Sequence, residues 1–262
     1  MIESIHSSPT LQAPSADAGN VGHGSKFRAT LLSVLMPIYN ERRTLAEIVR
    51  RVIQSPLELA IELIAVDDHS TDGSWELLSE LAALEPRIKP LRQPTNRGKG
   101  AAVRAALSHA RGEIVVIQDA DLEYDPAIYP RLMGPILAGG ADAVFGSRFA
   151  DGRNPPTSFW NRLANRLLTG AANRLTGLSL TDMETGAKMI RADFMRQLRL
   201  KSNTFTIEPE LTYRLAQIGA RIVEIPIEYS RRDYAAGKKI RPHDLVKALA
   251  VLLRCRYFDR QA

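Results

Sequence analysis

Three apolar runs in the first half of the chain each end in residues able to bind a charged ligand. Leu31–Met36 leads into Pro37-Ile-Tyr39-Asn-Glu41. Ile61–Val66 leads into Asp67-Asp68-His69-Ser70, and Ile114–Gln118 into Asp119-Ala120-Asp121. If the chain stays extended past the third run, Ala120 points away and the Asp119 and Asp121 carboxylates share one side. Two like charges that close repel each other unless a cation lies between them. Hard carboxylate oxygens suit Mg2+ or Mn2+, and a diphosphate would complete the coordination. An isolated Asp-x-Asp reads better as an acidic surface turn. Its place at a strand end, beside two other such ends, favours the metal–diphosphate reading. Asp67-Asp68 could form a second metal site. An ionised Asp68, an acceptor only, suits a nucleobase or ribose better.

Further groups lie downstream. Asn96-Arg-Gly98-Lys99-Gly100 opens a helix, where glycines allow close backbone approach and the helix N-terminus favours phosphate. The P-loop spacing is absent, so the segment reads alternatively as a helix-entry turn. Gly146-Ser147-Arg148 closes a strand, and Arg231-Arg232 with Lys238-Lys239 flank the stretch 233–237. These cations suit phosphates, Arg bidentately. Glu208 precedes Pro209 at a helix start and is structural or catalytic. If the acceptor is a hydroxyl, Glu208 and Glu184 are the candidate general bases.

The elements that must position these groups follow from periodicity. Strands are expected at Leu31–Met36 (ended by Pro37), Ile61–Val66, Ile88–Leu91, Ile114–Gln118 and Asp142–Ser147. Helices between them start at a Thr44–Glu47 capping box, at Ser74, at Gly100 and at the Asp125-Pro126 cap. This alternation implies a parallel sheet with helices on both faces. In such sheets ligands bind at the carboxyl ends of strands, where the candidate residues lie. The second half reads as a basic amphipathic helix over Ser158–Leu175, a loop at Thr181–Gly186, a short strand, helix Ile207–Ile218, strand Arg221–Tyr229 and helix Asp244–Cys255. The expected organisation is a disordered tail over residues 1–28 and one domain over 29–262. Within it, 29–147 binds nucleotide and 148–262 binds acceptor.

Composition narrows the class. The 262 residues are 45% hydrophobic and 24% charged, as in a soluble globular protein with a substantial core. The net charge of +6 is uneven: from Arg221 to the end ten Lys/Arg face five Asp/Glu. Such patches suit phosphate ligands or anionic membrane surfaces. Nucleic acid is disfavoured because the basic segments lack interleaved aromatics. Cys255 stands alone, which excludes an intrachain disulfide and fits a reducing compartment. No run reaches the roughly 18–20 apolar residues of a membrane span, and residues 1–26 lack a signal-peptide core. The expectation is a cytoplasmic protein, peripheral on the inner face of the plasma membrane. The C-terminal helix either lies on that membrane or packs in the core.

The motifs taken together resemble family-2 glycosyltransferases, and among them the dolichol-phosphate (polyprenyl-phosphate) sugar synthases. The matching segments are Val34–Glu41, Ile64–Gly73, Asn96–Gly100, Gln118–Glu123, Gly146–Arg148, Thr181–Gly186, Phe205–Glu210 and Gly237–Lys239, in the family's order over roughly residues 31–255. The resemblance implies a GT-A fold: α/β, with a mostly parallel central sheet flanked by helices. It implies that Pro37, Tyr39, Glu41, Val66 and Asp68 meet the nucleoside. Asp119, Ala120, Asp121 and Glu123 would form the metal–diphosphate site, with Asp119, Asp121 and Glu123 as ligands. Lys99, Arg232 and Lys238 would contact the donor. Arg148 would meet sugar or acceptor phosphate, and Arg162 would help hold the lipid phosphate. Asp121, Arg148 and Glu208 are the expected catalytic residues. Glu123 stands where mannosyl enzymes of this group carry Gln, and Gly-Lys-Lys replaces a commoner Gly-Lys-Ser-Lys. The implied reaction is inverting transfer of a hexose from a GDP-mannose- or UDP-glucose-type donor to polyprenyl phosphate, assisted by Mg2+ or Mn2+. Transfer to a soluble or cell-envelope sugar hydroxyl, nucleotidyl transfer, and a non-catalytic nucleotide- or RNA-binding module are the alternatives.

Overall fold

A computed structural model describes residues 26–152, 159–230 and 242–259. The strands are β1 (Leu31–Ile38), β2 (Ala60–Asp67), β3 (Ile88–Arg92), β4 (Ile114–Ile117), β5 (Ala143–Ser147), β6 (Lys188–Arg191) and β7 (Ile222–Pro226). The helices are α1 (Arg42–Ile53), α2 (Ser74–Leu84), α3 (Lys99–Leu107), α4 (Tyr129–Leu137), α5 (Phe159–Thr176), α6 (Ala192–Gln197), α7 (Ile207–Gln217) and α8 (Pro242–Tyr257). A 3-10 turn, Pro126–Ile128, precedes α4, and the Asp125 carboxylate caps it by accepting from Ala127 N–H at 2.9 Å.

All seven strands join one sheet in the order β3-β2-β1-β4-β6-β5-β7. Every pairing is parallel except those of β6, which runs antiparallel between β4 and β5. The runs LLSVLMPI and IVVI are buried almost throughout, as strands covered on both faces require. Alternate side chains serve opposite layers. Leu32, Val34 and Met36 pack with Leu45, Ile48, Leu78 and Leu132 of the helices on one face. Leu35, Ile64 and Val66 pack with Val103, Ile207 and Leu211 on the other. Each fully buried Leu or Ile contributes roughly 1.5–3 kcal/mol, so these two layers dominate the stability. A third cluster joins α5, α7 and α8 through Leu168, Ala172, Tyr213, Ala248 and Leu252.

Four expectations change. β1 continues through Pro37 to Ile38, opposite Val66 and Asp67. Its pairing with β4 ends at Leu35, so the missing proline N–H costs nothing on that side. The Thr44–Glu47 capping box does not form. Helix α1 starts two residues earlier, Glu47 pairs with Arg50 and Arg51, and Thr44 Oγ1 donates instead to Glu41 Oε2 and to Ala120 O. Order begins before residue 29: Phe27 N–H donates to Leu137 O, and Arg191 lies 4.5 Å over the Phe27 ring. The rest of the expected tail lies outside the described residues. Helix α6 went unread because its six residues are too few to show a period.

Candidate active site

The site is built where β4 ends. Buried Gln118 fixes the turn that follows: its Nε2 donates to Asp119 O (3.1 Å) and Tyr124 O (3.2 Å), while Tyr129 OH donates to its Oε1 at 2.8 Å. Thr44 Oγ1 ties the same turn to α1 through Ala120 O at 2.8 Å. Asp121 Oδ1 accepts from Glu123 N–H at 3.1 Å.

Asp119 faces Lys99. The ammonium lies 2.7 Å from Oδ1 and 3.0 Å from Oδ2, and 2.9 Å from Glu208 Oε1. The side chains of Lys99 and Glu208 are only 7% and 4% exposed. Burial alone would lower the lysine pKa, yet Asp119 and Glu208 raise it and keep Lys99 charged. Glu208 pairs on its other oxygen with fully buried Lys188. Burial favours a neutral carboxyl, but Lys188 and Lys99 outweigh it and hold Glu208 below the usual range. Glu208 is therefore a locked counter-ion between two lysines, which makes it a poor proton acceptor.

Lys188 also shapes the loop from Thr181 to Gly186. Its ammonium donates to Met183 O (2.9 Å) and to Thr185 O. These carbonyls flank Glu184, a half-buried residue whose Oε1 is shielded and has no hydrogen-bond partner among the described residues. Burial is the main cause that pushes the Glu184 carboxyl up to about 7; Lys188 and Arg148 oppose it, Glu208 and Asp182 add to it. The loop ends against the acidic turn: a Cβ on Gly186 would lie 2.7 Å from Asp119 Oδ2. On the loop's other side Arg148 makes a forked pair with buried Asp182 (2.7 and 2.8 Å) and lies 5.4 Å over the Tyr229 ring. Glu224 of β7 accepts from Thr181 N–H and Asp182 N–H at 2.7 and 2.9 Å, fixing that anchor. Tyr229 hydrogen-bonds Glu123, and burial followed by that carboxylate pushes its hydroxyl up to about 12.

The expected residues are thus placed as follows. Asp119, Lys99 and Glu208 converge; Asp121 lies on the same turn as Asp119, and Arg148 lies beyond the loop. Asp68 organises the chain: its carboxylate accepts from Gln93 Nε2, Arg97 N–H and Gly98 N–H at 2.9, 2.8 and 2.7 Å. It thereby holds the left-handed Gly98 (φ 93°) that starts α3 and presents Lys99. Val66 and Ala120 are 1% and 2% exposed core side chains, so the contacts expected of them cannot come from their side chains. Tyr39 is exposed, Pro37 and Glu41 half-buried, at the end of β1. Arg162 lies on α5, and no described contact joins it to the Asp119 cluster. Arg232, Lys238 and Lys239 lie outside the described residues. Sequence reasoning gave no role to Lys188, Asp182, Gly186 or Glu224. Only the Thr181–Gly186 motif pointed there.

Among the described residues no group of three or more His, Cys, Asp or Glu is arranged as a metal cage. Two hard carboxylates at a strand end still fit a divalent ion whose remaining ligands are diphosphate oxygens and waters, the usual habit of Mg2+.

The family model for glycosyl transferase family 2 matches residues 33–199. The chain belongs to this family. That membership sets aside the nucleotide- or RNA-binding module. An undecaprenyl-phosphate 4-deoxy-4-formamido-L-arabinose transferase from Edwardsiella ictaluri is 31% identical over 79% of the chain and 62% of its own length. A dolichol-phosphate mannosyltransferase from Pyrococcus furiosus is 29% identical over 79% of the chain and 58% of its own length. The chain thus spans about three fifths of both relatives. A polyprenol monophosphomannose synthase from Mycolicibacterium smegmatis is 31% identical over 78% of the chain and 79% of its own length. The fold is GT-A: the glucosyl-3-phosphoglycerate synthase of Mycobacterium tuberculosis, crystallised with Mn2+ and UDP, superposes with a TM-score of 0.64 over 93% of this chain and 85% of its own, at 21% identity.

Proposed function

We propose that this family 2 glycosyltransferase moves a hexose from a nucleotide-sugar of GDP-mannose or UDP-glucose type to a polyprenyl phosphate, at the cytoplasmic face of a membrane and with inversion. The relatives named above for undecaprenyl-, dolichol- and polyprenol-phosphate chemistry support it. The observation that carries it is the double pairing of Glu208 with Lys99 and Lys188. A carboxylate locked in that way serves badly as a base, and an ionised phosphate acceptor needs none.

An acceptor phosphate oxygen attacks the anomeric carbon as the bond from that carbon to the diphosphate oxygen breaks. The electron pair leaves with the nucleoside diphosphate, and no proton need move. Asp119 and Asp121 would hold Mg2+ or Mn2+, which when bound neutralises charge on the leaving diphosphate. Lys99 adds a fixed positive charge beside Asp119. Arg148, oriented by Asp182 and Tyr229, would orient the acceptor phosphate.

The second reading, a sugar hydroxyl acceptor, has Glu184 in its favour, since a carboxyl pushed up to about 7 is suited to general-base work. The deciding experiment supplies labelled GDP-mannose, UDP-glucose and UDP-GlcNAc with polyprenyl-phosphate membranes and Mn2+ or Mg2+. Label is expected in an acid-labile lipid fraction. Label in water-soluble sugar would overturn the lipid acceptor, and activity indifferent to EDTA would overturn the metal.

A further inference from the structure

The space left open by Gly98 and Gly100 is filled by the chain itself. A Cβ on Gly98 would lie 2.6 Å from Asn203 O, and one on Gly100 would run into Ser202 O. Asn203 O also accepts from Ala101 N–H at 3.1 Å. A carbonyl from the second half of the chain thus stands at the start of α3, the place the sequence offers to a phosphate. It belongs to residues 201–206, which lead into α7.

This leader is gripped from two sides. Its N–H groups go to α7: the fully buried Glu210 carboxylate accepts from Lys201 N–H at 3.0 Å and from Ser202 N–H at 2.6 Å. Its oxygens go to α3: half-buried Arg104 donates through Nη1 to Ser202 O and through Nη2 to Asn203 Oδ1, the latter at 2.5 Å. Arg104 follows Lys99 on the same helix by roughly 7.5 Å along the axis. The Lys99–Glu208 pair alone would let α3 and α7 pivot about one point. With Ala101 and Arg104 holding the leader as well, both the separation and the tilt of the two helices are set. The place of the Lys99 ammonium between Asp119 and Glu208 depends on both.

We propose that Arg104, which lies outside the site, is a positioning residue for transfer. It clamps the leader of α7 onto α3 and so keeps Lys99 between Asp119 and Glu208. The inference rests on the proposed function only in giving Lys99 a part in the departure of the diphosphate. The fork matters as much as the charge, because two acceptors on neighbouring residues are met by two nitrogens of one planar group.

The test joins transfer kinetics to proton–nitrogen NMR of the lysine ammonium groups in the full chain. Buried and paired, the ammoniums of Lys99 and Lys188 should exchange slowly with water, and loss of a signal in Lys99→Met identifies the Lys99 one. Arg104→Met should speed exchange at Lys99 at least about tenfold by easing local opening. Lys188, which Met183 O and Thr185 O also hold, should change little. The kcat should fall about tenfold with the KM for nucleotide-sugar nearly unchanged, as for a misplaced group that binds no substrate. Arg104→Lys should restore only part of the rate, and Asn203→Asp, which keeps the acceptor oxygen, should retain it. Asn203→Ala alters an exposed side chain and carries the same prediction as Arg104→Met should that variant fail to fold. Equal acceleration at Lys99 and Lys188 would mean general loosening and would overturn the proposal. So would an unchanged kcat in a folded Arg104→Met chain. If the parent enzyme transfers nothing to polyprenyl phosphate while exchange at Lys99 still responds to Arg104→Met, the acceptor is wrong and the positioning role stands.

Discussion

Lys99, at the first position of α3, and Glu208, in the first turn of α7, form a buried ion pair of 2.9 Å that joins the two halves of the chain beside Asp119. Removing either partner leaves the other buried with one counter-charge fewer, Asp119 for Lys99 and Lys188 for Glu208, at a cost of up to about 3–5 kcal/mol. Lys99→Met and Glu208→Gln should each lose stability on that scale in urea unfolding. The double variant should lose less than the sum, with a coupling of about 1–3 kcal/mol. Strict additivity would show that the pair does not act as a unit.

Gly186 admits no side chain without disturbing Asp119. Its added Cβ would stand 2.7 Å from Oδ2 and 3.1 Å from the Tyr124 ring. In Gly186→Ala the acidic turn or the loop must give way. Displacements of this kind at a site cost up to about a hundredfold in rate. The variant should fold and keep its melting temperature within a few degrees. Its calorimetric affinity for Mn2+ with nucleoside diphosphate should fall, and its transfer rate should fall by about tenfold or more.

Glu184 should leave a pH signature. Its carboxyl titrates near 4.5 when unfolded and near 7 in the folded chain, burial being the main cause. Between those values the folded state holds the extra proton. Stability should therefore fall as pH rises through that window and level off above about 7, losing up to a few kcal/mol. Glu184→Gln should flatten the slope. The groups facing it are Lys188, Glu208, Arg148 and Asp182. The same variant separates the acceptor readings. With a phosphate acceptor it should retain most activity; with a hydroxyl acceptor it should lose at least about a hundredfold, the usual contribution of a general base.

Arg148 meets Asp182 through a two-toothed contact that lysine cannot make. In Arg148→Lys the positive charge survives while its aim is lost. The KM for polyprenyl phosphate should rise about tenfold, and nucleoside diphosphate affinity should change little. Equal loss of both would place Arg148 on the donor.

The first half of the chain is legible because its signals are local. Continuous apolar runs marked β1, β2 and β4, and polar residues directly after them marked the rim. What escaped is long-range. Nothing near Lys188 in the sequence announces Glu208, and nothing near Asp68 announces the three donors between Gln93 and Gly98. In the sequence Glu208 reads as a possible catalyst because one carboxylate at a helix start resembles another. Only its two buried partners reveal a counter-ion. The capping box failed for a related reason, since Thr44 had a better partner in Ala120 O, a contact 76 residues away.

The reversed direction of β6 has a consequence for how specificity can change. Because it enters the sheet at the rim where its parallel neighbours leave, the segment before it crosses the mouth of the site while its ends are anchored by Asp182 and Lys188. A substitution at Glu184, which lies between the fully buried Met183 and Thr185, should therefore reshape the mouth of the site without altering strand register. Under the proposed function, exchanging the segment with that of a relative should change the choice of acceptor more than the choice of nucleotide-sugar.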